Sequence, residues 1–209
     1  VYYPKMLQAY YNIFERCGTP AVAINADTGA MGGKPSHEFV VPHADGEDTY
    51  IACANCDYAA NVEAAEFVRE GEKPAELAEL VKVATPDCKT IADVAAFVGG
   101  ATDQTIKAVF YWGTPPKMAN GRFLFILVRG DLDINEVKLR NALGGGDVRP
   151  ATDEEIRAAG AEPGYASPIG LNVAAAPDQP GLFVLADPSI EAGGNFVVGA
   201  NDAGYHYTG

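Results

Sequence analysis

Basic side chains are scarce in this sequence. Fifteen Lys and Arg stand against 28 Asp and Glu, for a formal net charge of −13. A duplex-binding face works by neutralising phosphates, so this balance argues against a dedicated nucleic-acid surface. A pocket that takes only the last nucleotide of a strand stays open. Long apolar runs are missing too. None approaches the ~18 residues that span a bilayer, and no basic-then-apolar leader opens the chain, so neither membrane insertion nor export is indicated. There is no Gly-rich loop ending in Lys-Ser/Thr, which argues against a P-loop nucleotidase. There is no Gly-x-Ser-x-Gly elbow either, and three histidines spread along the chain supply no obvious triad. Cysteine is limited to Cys17, Cys53, Cys56 and Cys88. The spacing Cys53-Ala-Asn-Cys56 fits half a zinc site or a redox pair, but no second pair completes a tetrahedral set, even with His37 and His43 upstream. The other reading is reduced cytosolic thiols. The first residue is Val1 rather than Met, which suggests a piece of a longer protein.

What is present is the composition of an ordinary globular chain. With 48% apolar and 21% charged residues over 209 positions, a core can be buried in one large domain or one and a half. The acidic residues Glu63, Glu66, Glu70, Glu72, Glu76 and Glu79 read as a solvated face.

The first third alternates helix, strand and loop. Apolar residues from Met6 to Phe14 fall at helical period within Pro4–Arg16, and Gly18 supplies the stop. Ala21–Ile24 and His37–Val41 read as strands around a small-residue loop, Asp27–Ser36, of the kind that lets backbone approach a ligand. Composition shifts over 42–62 from Tyr- and Gly-rich to Ala- and Glu-rich, and a domain boundary is placed near Cys53. A helix is expected from Asn61 or Val62 to about Arg69, broken by Gly71 to Pro74.

Further along, Thr90 and Asp93 open a helix with the apolar stripe Ile91, Val94, Ala95 and Val98. Thr102–Trp112 reads as a short helix running into a buried strand. Asn120-Gly121 signals a hairpin turn. Arg122–Val128 has no polar alternation, so both its faces should be covered. Asp133 is expected to cap a helix through Leu143. Thr152–Glu155 is a capping box for another, and Leu182–Ala186 and Asn195–Val198 are two closing strands. Strands with a few short helices between them predict an α+β fold with a mixed sheet or open barrel rather than a doubly wound one.

Four features have the residue types for chemistry. Lys107 sits at the lip of an apolar layer. It either extends its stem along the surface with its ammonium in water, or serves as a point charge meeting a phosphate or ester oxygen. Asp187, directly after a strand, is a turn cap or a ligand-orienting carboxylate. His206 is a structural imidazole or a proton carrier and hydrogen-bond partner. Gly164–Pro168 is a loop that positions backbone donors or simply turns. Arg129-Gly130-Asp131 is read as a strand end turning into a helix, not as an adhesion motif.

Several strings, taken together, resemble bacterial-type prolyl-tRNA synthetase, a class II synthetase. Asp27–Gly33 with Ser36–Phe39 is similar to its proline-pocket segment, and Asp57–Glu63 to the junction with its inserted editing domain. Within the insertion, Thr105–Lys107, Val128–Asp131, Asn135–Leu139, Ala151–Ile156 and Gly199–His206 follow in the family's order. The resemblance spans essentially the whole chain. It implies residues 1–52 as a fragment of the catalytic domain, with part of a class II antiparallel sheet. It implies residues 53–209 as the editing domain, a mixed, partly barrel-like sheet with surrounding short helices.

The activity so implied is hydrolysis of alanine mischarged onto tRNA(Pro). Alanine is smaller than proline, so a proline pocket cannot exclude it sterically, and a second sieve becomes useful. The resemblance assigns Lys107, Asp187 and His206 to catalysis, and Thr85, Ile91, Val94, Gly164, Ser167 and Pro168 to the alanine pocket and its loop. Val94 stands where leucine is often found. Thr28, Gly29, Ser36, His37 and Glu38 are remnants of the proline site. No metal or other cofactor is implied for editing; ATP and Mg belong to the parent synthetase. The implied partners are the 3′ end of tRNA(Pro) carrying alanine and the remainder of the synthetase chain, in a homodimeric, cytoplasmic parent with no membrane role. The chain lacks the ATP-handling motif and the anticodon-binding domain, so it is not expected to activate proline by itself. The rival readings are a non-catalytic insertion that steadies the acceptor end or the catalytic domain, and a metal-dependent hydrolase built on Cys53 and Cys56.

Overall fold

Phe123 to Val128 forms a continuously buried stretch, as expected of a strand covered on both faces. The computed structural model describes residues 2–29, 33, 35–68, 71, 73–116, 121–171 and 182–209. They fall into two compact units that divide between Phe67 and Val68. The compositional shift near Cys53 lies inside the first unit, because the strand after it pairs back into that unit's sheet.

In the first unit, α1 (Tyr3–Arg16) has Pro4 in its opening turn, where a missing N–H costs nothing. Its aromatic side converges on Phe39, whose ring lies 5.4, 5.0 and 5.1 Å from those of Tyr10, Tyr11 and Phe14. Phe39 belongs to β2 (His37–Val40), which pairs antiparallel with β1 (Val22–Asn25). β3 (Tyr50–Ala52) and β4 (Ala59–Asn61) complete a sheet in the order β2-β1-β4-β3. The β1–β2 and β3–β4 pairs are antiparallel as expected, and β4 runs parallel to β1. The helix expected from Asn61 or Val62 does not form over the described residues. Asn61 ends β4, and its Oδ1 accepts from Ala64 N to close a turn instead; Arg69 lies outside the described residues. Of the acidic run, Glu66, Glu76 and Glu79 are exposed and Glu63 is half-buried, while Glu70 and Glu72 lie outside the described residues.

The second unit is built on β6 (Ile106–Thr114) and β7 (Arg122–Arg129), paired antiparallel along nearly their full length. Asn120 of the expected hairpin turn lies outside the described residues. β8 (Asp147–Pro150) flanks β6, and β9 (Leu182–Ala186) runs parallel to β7, giving the mixed order β8-β6-β7-β9. Alternation explains the double cover. Phe110, Phe123 and Phe125 enter one core, with the Phe110 and Phe125 rings stacked at 4.3 Å. Tyr111, Leu124 and Ile126 enter the other, beneath Leu139. Full burial of each such side chain stabilises by about 1.5–3 kcal/mol.

Leu139 lies on α3 (Glu136–Ala142). The cap of this helix is Asn135, whose Oδ1 accepts from Val137 N and Lys138 N, not the expected Asp133. Asn135 is the residue one step outside the first turn, and the Asp133 carboxylate is engaged elsewhere. The capping boxes at Thr90 and Thr152 form as expected, opening α2 (Ile91–Val98) and α4 (Asp153–Ala158). A third sheet has the order β10-β11-β5, from β5 (Val81–Ala84), β10 (Val198–Gly199) and β11 (Tyr205–Thr208). It meets β6 where Ile106 N donates to the carbonyl of Val197. The architecture is α+β, and none of the three sheets closes into a barrel among the described residues. No described helix is long and apolar enough to cross a membrane.

Candidate active site

Where β6 leaves the 3₁₀ turn Thr102–Gln104, its first residues face α2, the loop after α4 and the β10–β11 sheet. A small cavity of about 140 Å³ opens there, and its lining includes Ile91, Val94, Lys107, Gly164, Val197 and His206. Each wall has a local cause. The α2 stripe turns Val94 inward against Val197 and Cys88, and Ile91 sits one turn before it. Gly164 takes φ +82°, which an L side chain rarely adopts, and so turns the chain into the loop. His206 is held opposite Gly199 and Val83 by β-pairing.

Lys107 is an engaged cation. Its Nζ donates to the Leu132 carbonyl at 2.7 Å and to Asp133 Oδ1 at 2.6 Å. The lysine side chain is 28% exposed and the aspartate 94%. An ion pair open to water on the acidic side is weak, so an incoming phosphate or ester oxygen can exchange with Asp133. The ammonium is thus held at the edge of the cavity by protein oxygens rather than left in water.

His206 is buried, and its Nδ1 lies 2.6 Å from Thr85 Oγ1. Burial pulls its pKa below the ordinary histidine value, because the charged imidazolium loses hydration. A neutral ring at neutral pH donates or accepts a hydrogen bond without adding a further cation to the two lysines, Lys89 and Lys107, on the lining. Tyr165 packs on it with ring centroids 5.6 Å apart.

The fold brings Lys107, Ile91, Val94, Gly164 and His206 together at one cavity. Thr85 stands behind His206 rather than on the lining. Ser167 is fully buried in the loop, and Pro168 lines a separate apolar cavity of about 320 Å³. Asp187 is not on the lining either. Its Oδ1 accepts from Ser189 N as the cap of α5 (Pro188–Glu191), the turn-capping alternative of the sequence. The cavity also holds Ala166 of the Gly164–Pro168 loop, Thr105 and Gly199 of the family strings, and three residues that sequence reasoning missed: Lys89, Ala108 and Val197. Lys89 had a legible signal, a cation two residues ahead of the pocket stripe of α2. Ala108 and Val197 had none.

The residues that the resemblance assigns to a proline site lie in the first unit. Thr28, Ser36 and His37 line a cavity of about 480 Å³, whose wall includes Tyr3 and Phe39. The Tyr3 hydroxyl lies 2.8 Å from His37 Nδ1. Gly29 and Glu38 are not on that lining: Gly29 N donates to Asp27 Oδ1, and Glu38 Oε1 faces Asn61 Nδ2 at 3.5 Å. Cys53 and Cys56 are exposed free thiols. The Asn55 N–H, donating to Cys53 Sγ, pulls that thiol below its ordinary pKa. Among the described residues no three His, Cys, Asp or Glu side chains gather to hold a metal ion.

Residues 85–209 match the model of the aminoacyl-tRNA editing domain. The chain belongs to this family. It is 47% identical over 204 residues to a proline–tRNA ligase of Dehalococcoides mccartyi, covering 98% of this chain and 33% of that protein. It is 47% identical over 208 residues to that of Trichlorobacter lovleyi, covering 99% and 34%. The chain thus spans about a third of the length of these relatives. A solved structure of a candidate trans-editing enzyme for prolyl tRNA synthetase superposes with a TM-score of 0.51 at 23% identity, over 62% of this chain and 75% of that one. At that identity the likeness concerns the fold. Along nearly its whole length the chain is similar to a prolyl-tRNA synthetase segment that contains an editing domain.

Proposed function

We propose that this editing domain hydrolyses the ester of alanine mischarged onto tRNA(Pro), within a longer chain that ligates proline to that tRNA with ATP and Mg. The observation that carries this reading is the placement of Lys107 on the wall of a cavity of about 140 Å³ that also contains Ile91, Val94 and His206. A cation at the mouth suits the terminal adenosine's phosphate or the ester, and the small apolar walls suit a methyl side chain. Water attacks the ester carbonyl, the carbonyl oxygen gathers negative charge, and the ribose oxygen leaves with a proton. An aminoacyl ester is already activated, so positioning the water and stabilising the oxyanion are sufficient, with no covalent nucleophile. In this reading Lys107 meets the negative charge and neutral His206 hydrogen-bonds the substrate. Ile91, Val94 and the Gly164–Pro168 loop shape the sieve, and Thr85 orients His206. Asp187 acts only through the position of β9 and α5. The first unit is the catalytic-domain fragment, with Thr28, Ser36 and His37 as part of the parent's proline site. The partners are the 3′ end of tRNA(Pro) and the rest of the synthetase, a cytoplasmic homodimer.

The test is deacylation of Ala-tRNA(Pro) by the wild type and by Lys107→Ala. The expected loss in the variant is on the order of 10²-fold, as for removal of one oxyanion contact. Equal rates would remove Lys107 from the chemistry. Inactivity of both proteins would favour a non-catalytic module that steadies the acceptor end.

A further inference from the structure

The wall formed by the loop after α4 is fastened from behind by one side chain. Asn201 N donates to the Tyr165 carbonyl at 2.8 Å. Its Oδ1 accepts from Ser167 N at 2.9 Å, and its Nδ2 donates to the carbonyls of Ser167 at 2.9 Å and Ile169 at 3.0 Å. One amide side chain thereby satisfies three backbone groups of a loop in which Ser167 is fully buried. Asn201 itself sits at φ +51°, a left-handed conformation that asparagine tolerates better than most residues. Serine and alanine cannot make this pattern. Aspartate keeps the acceptor but loses both donors.

The loop cannot retreat on its other side either. A Cβ on Gly199 would run into the Tyr165 carbonyl and the Ala166 oxygen, so the backbone of β10 already touches the loop. Gly199 is in register with His206. The β10–β11 hairpin that carries His206 therefore also carries both restraints on the loop.

We infer that Asn201 sets the size of the amino-acid sieve: it is a specificity-determining residue that positions the Gly164–Pro168 loop without touching substrate. This rests on the deacylase reading above. A cavity of about 140 Å³ discriminates by volume only if its wall does not yield, because a larger ester gains entry by displacing a loosely held loop. The Asn201 amide makes that displacement cost three hydrogen bonds at once.

The experiment compares kcat/KM for Ala-tRNA(Pro) and Pro-tRNA(Pro) in the intact chain, as wild type, Asn201→Gly and Asn201→Asp. Glycine keeps the left-handed backbone without strain, and aspartate keeps both the backbone and the acceptor. The expected result is a fall of about tenfold or more in the alanine-to-proline ratio for both variants, the scale of one methylene's discrimination in an apolar pocket. An unchanged ratio in a folded variant, including an equal loss on both substrates, overturns the inference. Hydrogen exchange on the wild type provides a reading that needs no variant. The Ser167 amide should exchange slowly, and rapid exchange overturns the clamp. Failure of the wild type to deacylate Ala-tRNA(Pro) would instead sink the deacylase reading and this inference with it, while an active wild type with unaltered discrimination in the variants sinks this inference alone.

Discussion

Thr85 Oγ1 and His206 Nδ1 lie 2.6 Å apart, both buried and 121 residues apart in sequence. Thr85 follows β5 directly, and its own N–H donates to the Gly204 carbonyl at 2.7 Å just before β11. The contact therefore fixes the imidazole from the neighbouring strand's end. Thr85→Val keeps the shape and deletes the hydroxyl, leaving a buried ring nitrogen unpaired. The expected cost is about 1–3 kcal/mol, read from urea unfolding. In a double-mutant cycle with His206→Phe, the penalty of Thr85→Val should largely vanish.

The same histidine gives the fold a pH dependence. Burial lowers its folded pKa, whereas in the unfolded chain it titrates near 6.5. Below about pH 6.5 the unfolded state binds the extra proton first, so the folded state loses stability as pH falls. The loss levels off once the folded imidazole is also protonated. Above pH 6.5 this contribution is flat. Unfolding free energies from pH 5 to 8 should show the slope in the wild type and lack it in His206→Gln. A flat wild-type profile would contradict the burial of a neutral ring.

Glu155 titrates on the other side of the scale. The Arg149 guanidinium, donating at 2.9 and 2.6 Å, and the Thr152 N–H hold its pKa down to about 2. A depressed carboxylate contributes its stability fully above its unfolded value, near 4.3, and loses it as pH falls toward 2. An NMR titration of the Glu155 side chain should give a midpoint near 2 in the wild type. In Arg149→Ala the midpoint should move up toward the ordinary carboxylate range.

Gly199 is the tightest backbone approach at the site. Gly199→Ala places a methyl group against the Tyr165 and Ala166 carbonyls, so β10 or the loop must shift. The expected destabilisation is about 1–3 kcal/mol, the usual range for overpacking. Alanine should lower the urea midpoint and move the amide shifts of Tyr165, Ala166 and Ser167. Unmoved loop resonances would show that the contact is looser than it looks.

Local chemistry determined what the sequence made legible. The caps at Thr90 and Thr152, the unalternating strand Phe123–Val128 and the pocket stripe of α2 were all readable. A cap satisfies neighbouring N–H groups, and a stripe or a run records which faces are buried. Lys107 and His206 stood out by residue type and position, whereas their grouping with Ile91 and Val94 came only through the family resemblance. Tertiary structure decided the rest, because it depends on which distant segments meet. The helix expected after Asn61 gave way to a turn once that residue was drawn into a sheet opposite Tyr50. Asp133 left its expected cap to meet Lys107, and Asn135 took over. Asp187 proved to be a cap rather than a wall of the cavity. Neither the Thr85–His206 pair nor the Asn201 clamp has a local signature. Each bonds groups more than thirty residues away; the register of β5 with β11 brings Thr85 to His206, and the packing of the Gly164–Pro168 loop against Gly199 and Asn201 brings the clamp together.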